Sequence, residues 1–176
     1  MSQNATLGVS MRKHLLLTIA AATVLSASSL NQQFVGTWNM VSYEVHTPAG
    51  EVVYPLGKDA VGRLTYDAAG HASLQMMRRG QPKFHTEKPA EATNEELAAA
   101  WRGYIGYYGT WTVDEKAQTV THTVEAAWYP NYMGTKQVRK FRFEGNRLTL
   151  EGTNSLGVAI VTFEKAAGAS TAAGRR

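Results

Sequence analysis

Cysteine is absent from the 176 residues, and with it go disulfide frameworks, thiolate metal sites, redox pairs and cysteine nucleophiles. A long apolar run is missing too: the stretch Leu15 to Leu25 has 11 residues, against the roughly 20 that a membrane span requires. There is no Gly-x-Ser-x-Gly nucleophile elbow, and no glycine-rich loop placed before a helix to cradle phosphate. His46, His71, His85 and His122 stand too far apart in the chain to form the close-set ligand pairs of a metal site, so neither a metal nor a cofactor is expected. What is present is 44% hydrophobic, 10% aromatic and 18% charged residues, the balance of one folded domain rather than a disordered chain.

The formal charge of +4 suggests an anionic partner only if it sits on the folded body. Met11 to Ser29 carries Arg12 and Lys13, then the apolar run, then small residues, with Ala27 and Ser29 three and one residues before a cut at Leu30. That order predicts a secretory signal peptide within residues 1–29, running from Met11 to about Ser29 behind ten extra N-terminal residues, and a periplasmic or secreted product. Residues 165–176 hold no large apolar side chain and are expected to form a disordered tail. Five of the 18 lysines and arginines (Arg12, Lys13, Lys165, Arg175, Arg176) fall in these ends, leaving 13 against 14 acids and a charge of −1 on residues 30–164. The basic aromatic run Arg139 to Phe143 therefore does not make a nucleic-acid surface.

Between Phe34 and Glu164 short alternating segments are separated by turn residues. Strands are expected over Phe34 to His46, Glu51 to Tyr54, Gly62 to Tyr66, His71 to Met77, Tyr104 to Val113, Thr119 to Ala127, Thr135 to Phe143, Arg147 to Glu151 and Val158 to Glu164. Links such as Asp67-Ala68-Ala69-Gly70 and Glu144-Gly145-Asn146 are short enough to dictate antiparallel neighbours, hence a meander. One segment differs. Thr93-Asn94-Glu95-Glu96 is a capping box followed by strong helix formers, with Leu97 and Trp101 on one face; it predicts a short helix across a barrel mouth.

Phe34-Val35-Gly36-Thr37-Trp38 resembles the Gly-x-Trp signature of lipocalins. With Gly62 to Tyr66, Asp67 and Gly70, then Tyr104 to Thr110, and then His122, Pro130-Asn131, Gly134, Val138-Arg139 and Leu148 to Leu150, the chain is similar to the lipocalin-like domain family over Phe34 to Glu164. The resemblance implies an all-β, up-and-down antiparallel barrel of eight or nine strands with an internal cavity, closed at one end by Trp38. It implies no particular reaction. The late Thr-Asp-Tyr turn motif of classical lipocalins is missing, as is a helix after the last strand.

Alternation selects the candidate site. His122 shares a row with Val120, Val124 and Ala126, and Arg139 shares one with Phe141 and Phe143, so both are expected inside, near each other on consecutive strands. Arg139 either stacks on Trp38, a role Arg142 or Arg147 could also fill, or binds a carboxylate or enolate of a ligand. His122 is either a hydrogen-bonded core residue or a general acid or base. Tyr107, Trp111, Gln75 and Asn131, the last in the aromatic loop Trp128 to Gly134, complete the candidate ligand-binding residues; His122, Arg139 and Tyr107 are the candidates for any catalysis. Together they favour an exported barrel holding a small, mainly hydrophobic molecule. The alternatives are a cofactor-free cyclase, isomerase or dehydratase, or a non-catalytic structural or interaction domain.

Overall fold

Strict alternation along the first strand would put Trp38, Met40, Ser42 and Glu44 on one face. Such a row could not be buried. The computed structural model, which describes residues 30–167, resolves this with a bulge. In β1 (Gly36–His46) the register against the last strand shifts between Met40 and Ser42, so exposed Val41 absorbs the extra residue. Trp38 then faces inward before the bulge, and Tyr43 and Val45 face inward after it.

The remaining strands are β2 (Val52–Val53), β3 (Val61–Tyr66), β4 (His71–Met77), β5 (Tyr104–Asp114), β6 (Thr119–Ala127), β7 (Lys136–Glu144), β8 (Arg147–Asn154) and β9 (Gly157–Lys165). All nine expected strands are present. Eight of them, β1 and β3 to β9, pair antiparallel in chain order, and β9 returns to β1 to close the barrel. β2 is a two-residue addition beside the far half of β1. Closure of β9 onto β1 leaves no long free edge for another strand to pair with.

Two of the boundaries that move reach into the barrel's closed end. Phe34 is not in the first strand: residues 30–34 form a helical turn, and its ring enters the barrel, fully buried. Lys165 is not tail but the last residue of β9; its amide bonds to the Asn146 carbonyl at 2.8 Å, and the Ala166 amide bonds to the Thr37 carbonyl at 2.8 Å. The barrel thus has 14 basic and 14 acidic residues and no net charge. The expected signal peptide lies outside the described residues, as does the tail beyond residue 167.

The helix α1 (Asn94–Arg102) starts as its capping box dictates: the Thr93 hydroxyl accepts from the Glu96 amide at 3.2 Å, and Glu96 accepts from the Thr93 amide at 2.9 Å. It sits between β4 and β5, as expected. It does not plug the mouth with an apolar face, because no helix residue is buried and Leu97 and Trp101 remain 45% and 49% exposed. Trp101 instead meets Trp128 at 5.8 Å and Tyr129 at 6.3 Å between ring centroids. No helix among the described residues is long and apolar enough to cross a membrane.

Candidate functional site

The inside of the barrel divides along its length. At one end Phe34 is the hub, with the rings of Tyr66, Trp111, Phe141 and Phe143 all within 5.5 Å of its own. Trp38 lies beside Phe143, 1% exposed, and its indole N–H donates to the Phe34 carbonyl at 2.7 Å. The cation over Trp38 is Lys165, 4.8 Å from the ring centroid, and none of the three arginines considered above. The reason is register: β9 runs beside β1 and pairs Lys165 directly with Trp38. Trp111 belongs to this closed end, donating to the Asp67 carbonyl at 3.2 Å.

In the middle stands His122, opposite Trp111 on β6 and 2% exposed. Its Nε2 is 2.7 Å from the Tyr66 hydroxyl and its Nδ1 is 2.7 Å from the Tyr107 hydroxyl. Burial is the main cause, with the Arg139 charge adding to it, that holds the imidazole pKa down at about 3; the ring is neutral at physiological pH. Burial likewise raises both tyrosines, Tyr107 to about 12. With both nitrogens engaged, His122 positions the tyrosines; it does not titrate near neutrality.

Toward the other end the packing opens into an interior cavity of about 60 Å³. Its walls are mostly apolar, among them Leu74, Met76, Ile105 and Leu150. Polar groups reach it from four places: Tyr43 on β1, Tyr107 on β5, Tyr132 in the 3-10 turn Pro130–Tyr132, and Arg139 on β7, with Asn154 at the rim. Arg139 is inward because β7 pairs it with fully buried Val120. Its Nη2 donates to Gln137 Oε1 at 3.0 Å and its Nη1 to the Val138 carbonyl at 2.9 Å, both neutral acceptors. Space for it comes from Gly152, where a Cβ would lie 2.5 Å from Arg139 Cδ.

Of the sequence candidates, the fold brings His122, Tyr107 and Arg139 together. Gln75 is not with them: β4 turns Ala72, Leu74 and Met76 inward and leaves Gln75 exposed, beside an outer groove of about 270 Å³. Asn131 is exposed as well, its amide donating to the Tyr129 hydroxyl at 3.2 Å. Ala126 also leaves the expected row. A bulge at Glu125 pairs Ala126 with outward Tyr108 and Ala127 with inward Tyr107; Gly109 permits the close approach, since a Cβ there would strike the Thr123 carbonyl. His46, His71 and His85 each pair with a local carboxylate, of Glu44, Asp67 and Glu96 respectively.

Sequence reasoning misses Tyr43, Tyr66, Tyr132 and Asn154. Tyr43 is hidden by the β1 bulge, and Tyr66 by the 56 residues that separate it from His122. Its alternation with Leu64, both fully buried, was the available signal.

The family comparison agrees with this architecture. A family described as the lipocalin-like domain matches residues 35–168. The 4'-hydroxy-3'-methoxypropiophenone carrier protein ppsC of Aspergillus oryzae is 39% identical over 90 residues, covering 48% of this chain and 81% of that protein. Among solved structures, a redesigned β-barrel aligns at TM-score 0.41 and 12% identity over 78% of this chain and 95% of its own. The fatty-acid-binding protein 1 of Echinococcus granulosus aligns at 0.38 and 15%, over 77% of this chain and 99% of its own. On its closed eight-stranded barrel and the family match across nearly all of it, the chain belongs to the lipocalin-like domain family.

Proposed function

We propose that the barrel is a carrier, taking a small, mainly hydrophobic molecule into the cavity between Met76, Ile105 and Leu150 with its oxygen-bearing end toward Tyr107 and Arg139. The observation that carries this reading is a guanidinium and a buried tyrosine hydroxyl opening into a hollow whose walls are mostly apolar. Closed cavities of that make-up bind by shape and apolar area, and use few polar groups to set orientation. The 39% identical relative is named as the carrier of an aryl ketone, which supports a ligand of that kind.

A volume of about 60 Å³ holds roughly two waters, at about 30 Å³ each, and not a ring with a side chain. Uptake therefore requires the rim to yield. Tyr132 is the lining residue that stands outside the strands, in a short 3-10 turn, its ring resting on Trp128 and Tyr129 at 5.5 and 5.3 Å. Titrating the protein with 4'-hydroxy-3'-methoxypropiophenone, read by native mass spectrometry and by tryptophan fluorescence, is expected to give a one-to-one complex. Absence of any complex for this ketone and for a panel of apolar aromatics sinks the reading.

Export is part of the proposal, on the order of charge, apolar run and small residues in Met11 to Ser29. N-terminal sequencing of the protein recovered outside the cytoplasm is expected to begin at Leu30; recovery of an intact N-terminus in the cytosol excludes it.

A further inference from the structure

The hydrogen bonds around His122 have a direction. A neutral imidazole has one N–H and one bare nitrogen, so one tyrosine donates to the ring and the other accepts from it. Tyr66 is buried among Phe34, Trp111 and His122, and among the described residues its hydroxyl has no partner except Nε2. If Nε2 carried the hydrogen, the Tyr66 O–H would be left without an acceptor in a dry site, the costly arrangement. Tyr66 therefore donates to Nε2, and Nδ1–H donates to the Tyr107 oxygen. That leaves the proton of Tyr107 free, and Tyr107 is the member of the three that faces the cavity. His122 thus fixes the Tyr107 hydroxyl as a donor into the hollow.

Arg139 adds charge to that donor. It forms no ion pair among the described residues, and its two hydrogen bonds go to neutral oxygens. The other elements around the cavity do not compensate it. β1, β5 and the 3-10 turn present Tyr43, Tyr107 and Tyr132, while β4, β8 and β9 present apolar side chains and Asn154. No carboxylate lines the space. A partly buried guanidinium without a counter-ion is a seat for an anion, and a single O–H beside it suits a single oxygen.

We propose that the cavity binds an acidic phenol as its phenolate, the oxygen accepting from Tyr107 and lying in the field of Arg139. This rests on the carrier reading above and specifies the charge state of its ligand. A phenol with a para acyl group fits, because its anion spreads charge into the carbonyl and forms more readily than that of tyrosine. On binding, the phenolic O–H bond breaks and its proton passes to the buffer; no other bond changes. Each unit by which the site lowers the phenol's pKa appears as about a tenfold gain for the anion over the neutral form.

The test uses the whole protein with two probes, 4'-hydroxy-3'-methoxypropiophenone and its 4'-methyl ether, at a mildly acidic pH where the free phenol is un-ionised. The bound phenol is expected to show the red-shifted phenolate absorption band and to bind about tenfold or more tightly than the ether. Arg139→Met is expected to abolish the band and the preference, Arg139→Lys to keep the band, and Tyr107→Phe to weaken the phenol and not the ether. A bound phenol with the neutral spectrum, or equal affinity for both probes, overturns the phenolate proposal and leaves the carrier reading standing. Binding of neither overturns both. Should Arg139→Met fail to fold, the two probes on the unaltered protein still decide the matter.

Discussion

The two ends of this barrel are built from similar residues and do opposite things. At the closed end Phe34, Trp38, Trp111, Phe141 and Phe143 meet ring to ring, and the polar atoms that enter, such as Trp38 Nε1, are bonded to backbone. At the open end tyrosines replace tryptophan and phenylalanine, a cavity replaces ring contacts, and an arginine without an acidic partner replaces the apolar residue expected there. The closed end maximises buried area; the open end leaves a guanidinium with no counter-ion beside a hollow. Stability belongs to the first region and, in the carrier function proposed above, recognition to the second, with His122 as the seam between them.

Substitutions can break that division. The largest effect is expected from Trp38→Ala, which removes a fully buried indole and its hydrogen bond and should cost about 3 to 5 kcal/mol by denaturant titration. A loss below about 1 kcal/mol, within the range of ordinary surface changes, would mean that this end is not the foundation of the barrel.

The second effect concerns the seam. The pKa of His122 is about 3 in the folded chain and near 6.5 when unfolded, so below neutrality the unfolded state takes up a proton that the folded state refuses. Stability is therefore present above about pH 6.5 and lost as pH falls toward 3, by on the order of 3 kcal/mol at pH 4. Denaturation measured from pH 7 to 4 should show this loss, and His122→Leu should flatten it while lowering stability at pH 7 by stranding two tyrosine hydroxyls. An unchanged acid slope in that variant would separate His122 from the acid response.

The smallest effect is expected from Arg139→Met. Replacing a charge that has no counter-ion by an apolar side chain of similar length should leave stability within about 1 kcal/mol, or raise it, while ligand affinity falls. A loss as large as that of Trp38→Ala would make Arg139 structural and erase the distinction between the ends.

How much of this was legible beforehand follows from the distance over which each feature is set. The nine strands, their turns and the capped helix are written in residues a few positions apart, and the structure has them where expected. His122, Tyr107 and Arg139 were found because alternation persists over the few residues around each. It failed for Tyr43 and Ala126, where bulges at Val41 and Glu125 reverse the facing of all that follows, and Gln75, named as a ligand-binding candidate, falls in the outward row of β4. Trp38 was recognised, but none of the arginines on β7 and β8 that could have covered it does so, because the β1 to β9 pairing joins the two ends of the domain and brings Lys165 there.

By itself, then, the sequence determined an all-β meander, a short helix between β4 and β5, and an interior that holds a histidine and an arginine. Only the tertiary structure decided that His122 is clamped between Tyr66 and Tyr107, that Lys165 and not an arginine covers Trp38, and that the empty space lies beside Arg139. Local choices depend on turn chemistry and a period of two, both of which act over neighbouring residues. Who touches whom across a closed barrel depends on register, and register is settled by bulges and closure, to which strands far apart in the chain contribute together.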